Sequence, residues 1–155
     1  ELPTQDDIDA IAARAIAEDV GDGDPTAKLV PAPVVRKAKK KTKVGAIYYG
    51  WTARAMHEAL ETLEARGHQI DAMRVRAFPF GDEVYDFIRA HDQVFVVEQN
   101  RDAQLRTLIV NEGEIDPGRL TKILHFDGTP ITARFLIEAI GQKLQPVKAS
   151  PEMAK

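Results

Sequence analysis

The sequence contains no cysteine. Disulfides, thiolate nucleophiles, cysteine-bound zinc and iron–sulfur ligation by this chain are thereby excluded, and a reducing compartment suits the composition. Serine is almost as scarce: Ser150, near the end, is the only one and lies in no nucleophile elbow. The four histidines, His57, His68, His91 and His125, have no partners at metal-ligand spacing. Both nucleotide fingerprints, GxGxxG and GxxxxGK[ST], are missing: Gly45 and Gly50 have no third glycine opening a helix, and Gly21-Asp22-Gly23 follows a helix rather than a strand. No apolar run approaches the ~18 residues of a membrane span, and no basic-then-apolar leader opens the chain. The expectation is a cytoplasmic protein with no membrane partner, no catalytic residue of its own and no metal site.

What is present fits one ordinary core. The chain has 155 residues, 44% hydrophobic and 29% charged, and a domain of that size buries roughly 70% of the surface of its unfolded chain. The net charge of −3 conceals a basic run, Arg36 to Lys43, with six cations and no acid. No aromatic platform stands beside it, so nucleic acid is not expected as a partner, and the run reads as a solvated, self-repelling linker.

Apolar spacing gives the order of elements. Asp6 to Ala17 has Ile8, Ile11, Ala12, Ala15 and Ile16 at helical spacing behind an acidic start. Glycines and prolines follow, and Pro31 and Pro33 mark an extended connector. Strands are expected at Val44 to Tyr49, Ile70 to Ala77, Val94 to Val97 and Lys122 to Phe126. Helices are expected at Thr52 to Arg66, Asp82 to Ala90, Ala103 to Val110 and Ile131 to Leu144, with Gly67 as a left-handed stop for the first of these. Strand and helix in regular alternation, with continuous apolar strands, predict an α/β fold: three layers, α/β/α, around a mostly parallel sheet. The corresponding organisation is an N-terminal helix and Pro/Lys-rich connector over 1–42, a compact domain over 43–145, and a tail over 146–155.

In an open parallel sheet, ligands gather at the carboxyl ends of the strands. The loops concerned are Gly50-Trp51-Thr52, Phe78-Pro79-Phe80-Gly81, Glu98-Gln99-Asn100 and Asp127-Gly128. A phosphate on the helix starting at Thr52 would use its free N–H groups. Asn100 suits a cap that accepts from the N–H of Asp102 or Ala103. Glu98, one residue past buried valines, requires a partner, with Arg74, Arg76 and Arg101 as candidates. Glu98, Gln99 and Asn100 read equally as a capped helix start and as a rim meeting another domain or subunit.

In order along the chain, GAIYYGWT, IDAMRVRAFPFGDEVYDFI, QVFVVEQNRDAQL and LHFDGTPITARFLIEAI resemble the last domain of the alpha subunit of 2-oxoacid:ferredoxin oxidoreductases, the 2-oxoglutarate type above all. The resemblance runs from about Lys43 to Leu144. It rests on an R-x-x-PFP-like turn at Arg76 to Phe80, a V-E-x-N-x-x-x-Q element at Glu98, Asn100 and Gln104, and a Y-D-G-x-P-like turn at Phe126 to Pro130. Two departures stand out: Gly50-Trp51-Thr52 replaces a Gly-Ser-Thr-like turn, and Gly81 follows the PFP turn. The resemblance implies a fold like the C-terminal domain of transketolase-type thiamine enzymes. It further implies an assembly and scaffolding role in a complex that converts a 2-oxoacid to an acyl-CoA, with activity absent from this chain alone. Thiamine diphosphate and iron–sulfur clusters would belong to the parent complex, coenzyme A would be a co-substrate, and the partners would be the beta subunit, an upstream pyrimidine-binding domain and ferredoxin. Gly50, Thr52, Phe80, Glu98, Asn100, Gln104, Asp127 and Gly128 are the interface or strand-end candidates. Separately, Ala17 to Thr26 is similar to the opening of quinolinate phosphoribosyltransferases, and nothing after Pro33 continues that likeness. The rival reading is a stand-alone small-molecule or nucleotide-binding module on the same fold.

Overall fold

The computed structural model describes residues 4, 5, 9–14 and 31–144. The chain divides into two units, Glu1–Pro31 and Ala32–Lys155. In the first, residues 9–14 are helical, within the helix expected from the Ile spacing; the phosphoribosyltransferase-like stretch lies outside the described residues, as does the tail from Gln145.

The second unit is a five-stranded sheet in the order β1-β3-β2-β4-β5. Its strands are β1 (Val34–Arg36), β2 (Val44–Tyr49), β3 (Asp71–Val75), β4 (Gln93–Glu98) and β5 (Leu120–Leu124), and its helices are α1 (Thr52–Ala65), α2 (Asp82–Ala90), α3 (Gln104–Gly113) and α4 (Ala133–Gly141). Strands β2 to β5 are parallel to their neighbours; β1 alone runs antiparallel, with Val34 opposite Arg74 and Arg36 opposite Ala72. The mostly parallel α/β sheet expected from the sequence is the one observed.

Each helix buries the face its spacing dictates. Met56, Ala59, Leu60 and Leu63 of α1 join Leu136 and Ile140 of α4 over one side of the sheet, against Ala46, Phe95 and Val97. Val84, Phe87 and Ile88 of α2 and Leu105 and Ile109 of α3 cover the other, against Ile47, Met73 and Val96. Gly67 stops α1 as expected. At φ +91° it lets its own N–H reach the Glu64 carbonyl and that of His68 the Leu63 carbonyl, the paired closure of a left-handed helix end. At the amino end, Gly45 lets α2 approach closely: a Cβ there would stand 2.9 Å from the Phe87 ring and 3.2 Å from that of His91.

Two expectations change. The connector is not wholly a connector, because Val34–Arg36 forms the edge strand β1. Three residues beside proline and lysine give no run long enough to read, yet proline and lysine are what a sheet edge tolerates. Nor is the basic run simply solvated: Arg36 and Lys39 pair with Glu64, and Lys37 with Asp71. In addition, β5 begins earlier than expected. Asp116 accepts from the Gly118 N–H and starts a single 3₁₀ turn, Pro117–Arg119, which delivers Leu120 opposite Val94 and leaves Phe126 outside the sheet.

Candidate functional site

The strand order fixes where a ligand or partner would meet the sheet. β2 and β4 are neighbours, but α1 leaves β2 toward one face while α3 leaves β4 toward the other, which makes their carboxyl ends the switch point of the fold. Gly50-Trp51-Thr52 and Glu98-Gln99-Asn100 therefore stand side by side.

Glu98 is fully buried, and its partners are not the expected arginines. Its carboxylate accepts from the N–H of Leu105 at 2.8 Å and of Arg106 at 3.0 Å, the first turn of α3, and from Asn100 Nδ2 at 2.8 Å. The open N–H groups and positive dipole end of a helix satisfy an anion without any counter-ion. Arg101 instead pairs with Asp102, and Arg74 donates to the Gly50 carbonyl. Asn100 does act at the helix start, but its Oδ1 accepts from Gln104 N–H, at 3.3 Å, rather than from Asp102 or Ala103. The reason is backbone geometry. Ala103, expected inside the helix, adopts φ +53°, a left-handed conformation that non-glycine residues rarely hold, and the helix begins one residue later.

The next residue works in the opposite direction. Gln99 donates from Nε2 to the hydroxyl of buried Thr52, at 3.2 Å, and accepts at Oε1 from the N–H of Ile131, at 3.4 Å. Thr52 is thus engaged by the protein's own amide. Asn100 Nδ2 also approaches the Tyr49 hydroxyl at 3.4 Å. Three consecutive side chains accordingly tie β4 to the starts of α1 and α3, to the end of β2 and to the loop before α4.

Around this closed centre the rim mixes exposed aromatics with the exposed charges of Arg76, Arg101, Asp102 and Asp127. The loops after β2, β3 and β5 each present an aromatic ring to solvent: Trp51 (93% exposed), Phe78 (53%) and Phe126 (60%). Gly50, at φ +59°, turns the chain so that Trp51 stands outward. On the α3 side, Tyr49, Gly50, Phe78, Phe80, Gln104 and Leu108 help line a groove of about 490 Å³. Phe80 and Gln104 therefore share one wall system with Gly50. Asp127 and Gly128 are exposed in the loop after β5, where Asp127 accepts from both the N–H and the hydroxyl of Thr129. That amide bond, then the hydroxyl, lowers the Asp127 carboxyl below its ordinary value.

A second polar cluster, not singled out from the sequence, lies at the amino edge. Asp71, at the first position of β3, accepts from Lys37 Nζ and from the Ala38 N–H, both at 2.8 Å, and faces His91 Nε2 at 3.2 Å. His91, which ends α2, is buried and places Nδ1 2.6 Å from the Phe87 carbonyl oxygen. Burial raises the Asp71 carboxyl, but Lys37, the Ala38 amide and His91 outweigh it, and the net shift is downward. Glu64 is lowered as well, first by the Lys39 backbone N–H. The one signal in the sequence was an aspartate opening a buried strand with a basic run before it.

Among the described residues no cluster of three His, Asp or Glu side chains is placed to hold a metal ion, and no helix is long and apolar enough to cross a membrane. No family model matches the chain, and no curated protein matches it. Solved structures do. The 2-oxoglutarate:ferredoxin oxidoreductase of Magnetococcus marinus, solved with 2-oxoglutarate, coenzyme A and succinyl-CoA bound, superimposes with a TM-score of 0.67 and 24% identity over 77% of this chain and 21% of that one. A split-gene transketolase, an inactive beta4 tetramer, gives 0.57 and 19% over 71% and 41%. The alpha chain of a probable 2-oxoacid ferredoxin oxidoreductase from Thermoplasma acidophilum gives 0.48 and 22% over 72% and 96%. The chain spans about a fifth of the first of these proteins and two fifths of the second. Its sheet and helices are those of a transketolase C-terminal-like domain, the fold it shares with parts of both.

Proposed function

We propose that this chain is a domain of the alpha subunit of a thiamine-diphosphate-dependent 2-oxoacid:ferredoxin oxidoreductase, with 2-oxoglutarate as the 2-oxoacid. Its role is assembly and scaffolding, and it is inactive alone. The observation that carries the reading is the state of the switch point. Where related sheets receive ligands, Glu98 occupies the α3 N-terminus and Gln99 engages Thr52, while exposed aromatics ring the same edge. Exposed aromatics beside charged side chains, around a self-satisfied polar centre, suit a protein interface better than a reaction site. The fold likeness and the order of the four motifs agree with it.

On this reading the diphosphate and the iron–sulfur clusters sit in the beta subunit and in other domains, coenzyme A and ferredoxin act on the complex, and the carboxyl edge meets the beta subunit or the upstream pyrimidine-binding domain. The nucleotide-module alternative requires Thr52 and the α1 N-terminus to be open to a ligand; Gln99 and the burial of Thr52 weigh against that.

The test is affinity capture of the chain from its source lysate. Expected is a partner protein carrying thiamine diphosphate and iron, retained by the native chain and lost by the Trp51→Ser/Phe126→Ser double variant at unchanged melting temperature. Capture indifferent to both substitutions would remove the carboxyl edge from the interface, and turnover of 2-oxoglutarate by the purified chain would sink the scaffolding role. Saturable nucleotide binding that Thr52→Leu abolishes would install the alternative.

A further inference from the structure

We infer that the cleft at the amino edge of the sheet, bounded by Lys37, Lys40, Lys41 and Lys43, binds a small molecule through a phosphate or diphosphate group. The inference does not depend on the assembly reading, since the cleft lies at the opposite end of the strands from the aromatic rim.

The basic run that borders it is built into the domain. The Ala38 N–H donates to Asp71, that of Lys39 to Glu64 at 3.0 Å, and that of Lys40 to Gln69 Oε1 at 3.0 Å, while the Thr42 hydroxyl donates to the Gln69 carbonyl at 2.7 Å. These bonds fix the backbone without consuming every charge. Arg36 and Lys39 share Glu64, and Lys37 has Asp71. Among the described residues Lys40 and Lys41 make no ion pair, and Lys43 Nζ reaches only the neutral carbonyl of Ala90, at 3.3 Å. Three lysines that form no ion pair among the described residues therefore line one cleft of about 340 Å³, on a chain whose net charge is −3. Asp71, on its floor, is already engaged by Lys37, the Ala38 amide and His91.

The chemistry of the donors selects the ligand class. Several lysines act as point charges, which suits a group carrying two or more negative charges; the planar fork that favours a single carboxylate belongs to arginine, and no arginine lines this cleft. Its volume is that of a small-molecule site. It has no exposed aromatic for base stacking, which disfavours a single-stranded nucleic acid.

Inorganic pyrophosphate titrated into the full chain, followed by amide NMR shifts and calorimetry, is the test. Expected are saturation below about 10 mM, shifts confined to residues around Lys37 to Lys43 and His91, and weakening as salt rises. Lys40→Gln/Lys41→Gln should lower affinity about tenfold or more, whereas Lys39→Gln, whose ammonium pairs with Glu64, should leave it unchanged. Failure to saturate, or an equal loss in Lys39→Gln, would overturn a defined site. So would tighter binding of a single-stranded oligonucleotide through the same lysines, which would make the surface a nucleic-acid contact.

Discussion

The two ends of this sheet each bury one carboxylate, and they satisfy it in opposite ways. At the carboxyl end, Glu98 is held by helix amides and an asparagine, all of them uncharged. At the amino end, Asp71 is held by a lysine, a histidine and one amide. A carboxylate seated on a helix terminus depends on backbone placement and little on the surrounding electrolyte. One held by exposed lysine depends on charges that salt and pH can alter. The carboxyl end is therefore the place for permanent structure, and the amino end the place where spare cations remain.

Removing each acid is the bluntest way to break that contrast. Glu98→Ala strands two helix N–H groups and the Asn100 amide inside the domain, and should cost about 2–4 kcal/mol in urea unfolding, nearly independent of salt. A loss under about 1 kcal/mol would show that water replaces the carboxylate and that the end is not closed. At the other end, Gly45→Ala presses a methyl group on Phe87 and His91 and should cost about 1–3 kcal/mol, because the Phe87 ring and His91 are packed too tightly to retreat freely.

Asp71→Asn should cost less, about 1–2 kcal/mol near neutral pH, since Lys37 can return to solvent. Here the sign with pH is definite. The folded carboxyl lies below its ordinary value, so its contribution is fully present above the unfolded pKa and is lost as pH falls through the depressed folded one. The gap between native and variant should shrink as pH is lowered from about 5 toward 2. A gap constant across that range would mean that Asp71 contributes as a neutral hydrogen-bond acceptor only. The smallest effect expected is a gain: Ala103→Gly relieves a left-handed alanine and should add about 0.5–1 kcal/mol at the already rigid end, read as a raised Tm with unchanged far-UV spectrum.

How much of this was legible follows from the range of the forces involved. The parallel core was legible because its strands are continuously apolar and its helices keep their spacing, both local properties of the chain. The strand-end residues were legible as a group for the same reason. The partner of Glu98 was not: a charge-centred reading looks to Arg74, Arg76 and Arg101, whereas the partner is a helix terminus whose amides carry no sequence signature. Strand β1 escaped because three residues next to Pro33 and a lysine run have no period to detect. The Asp71, His91 and Lys37 cluster escaped because only the sheet brings the first residue of β3 beside the residue that caps α2 and the one that follows β1.

The side chains of Glu98, Gln99 and Asn100 brace β2, α1, α3 and the loop before α4 from a single point. Loops that would otherwise sample independent conformations are in this way joined into one plate, with Trp51 and Phe126 fixed to its rim. A partner docking there would meet a surface already in its bound shape, with little ordering entropy to lose, so differences in affinity among variants of that rim should lie in how slowly the complex separates and not in how fast it forms.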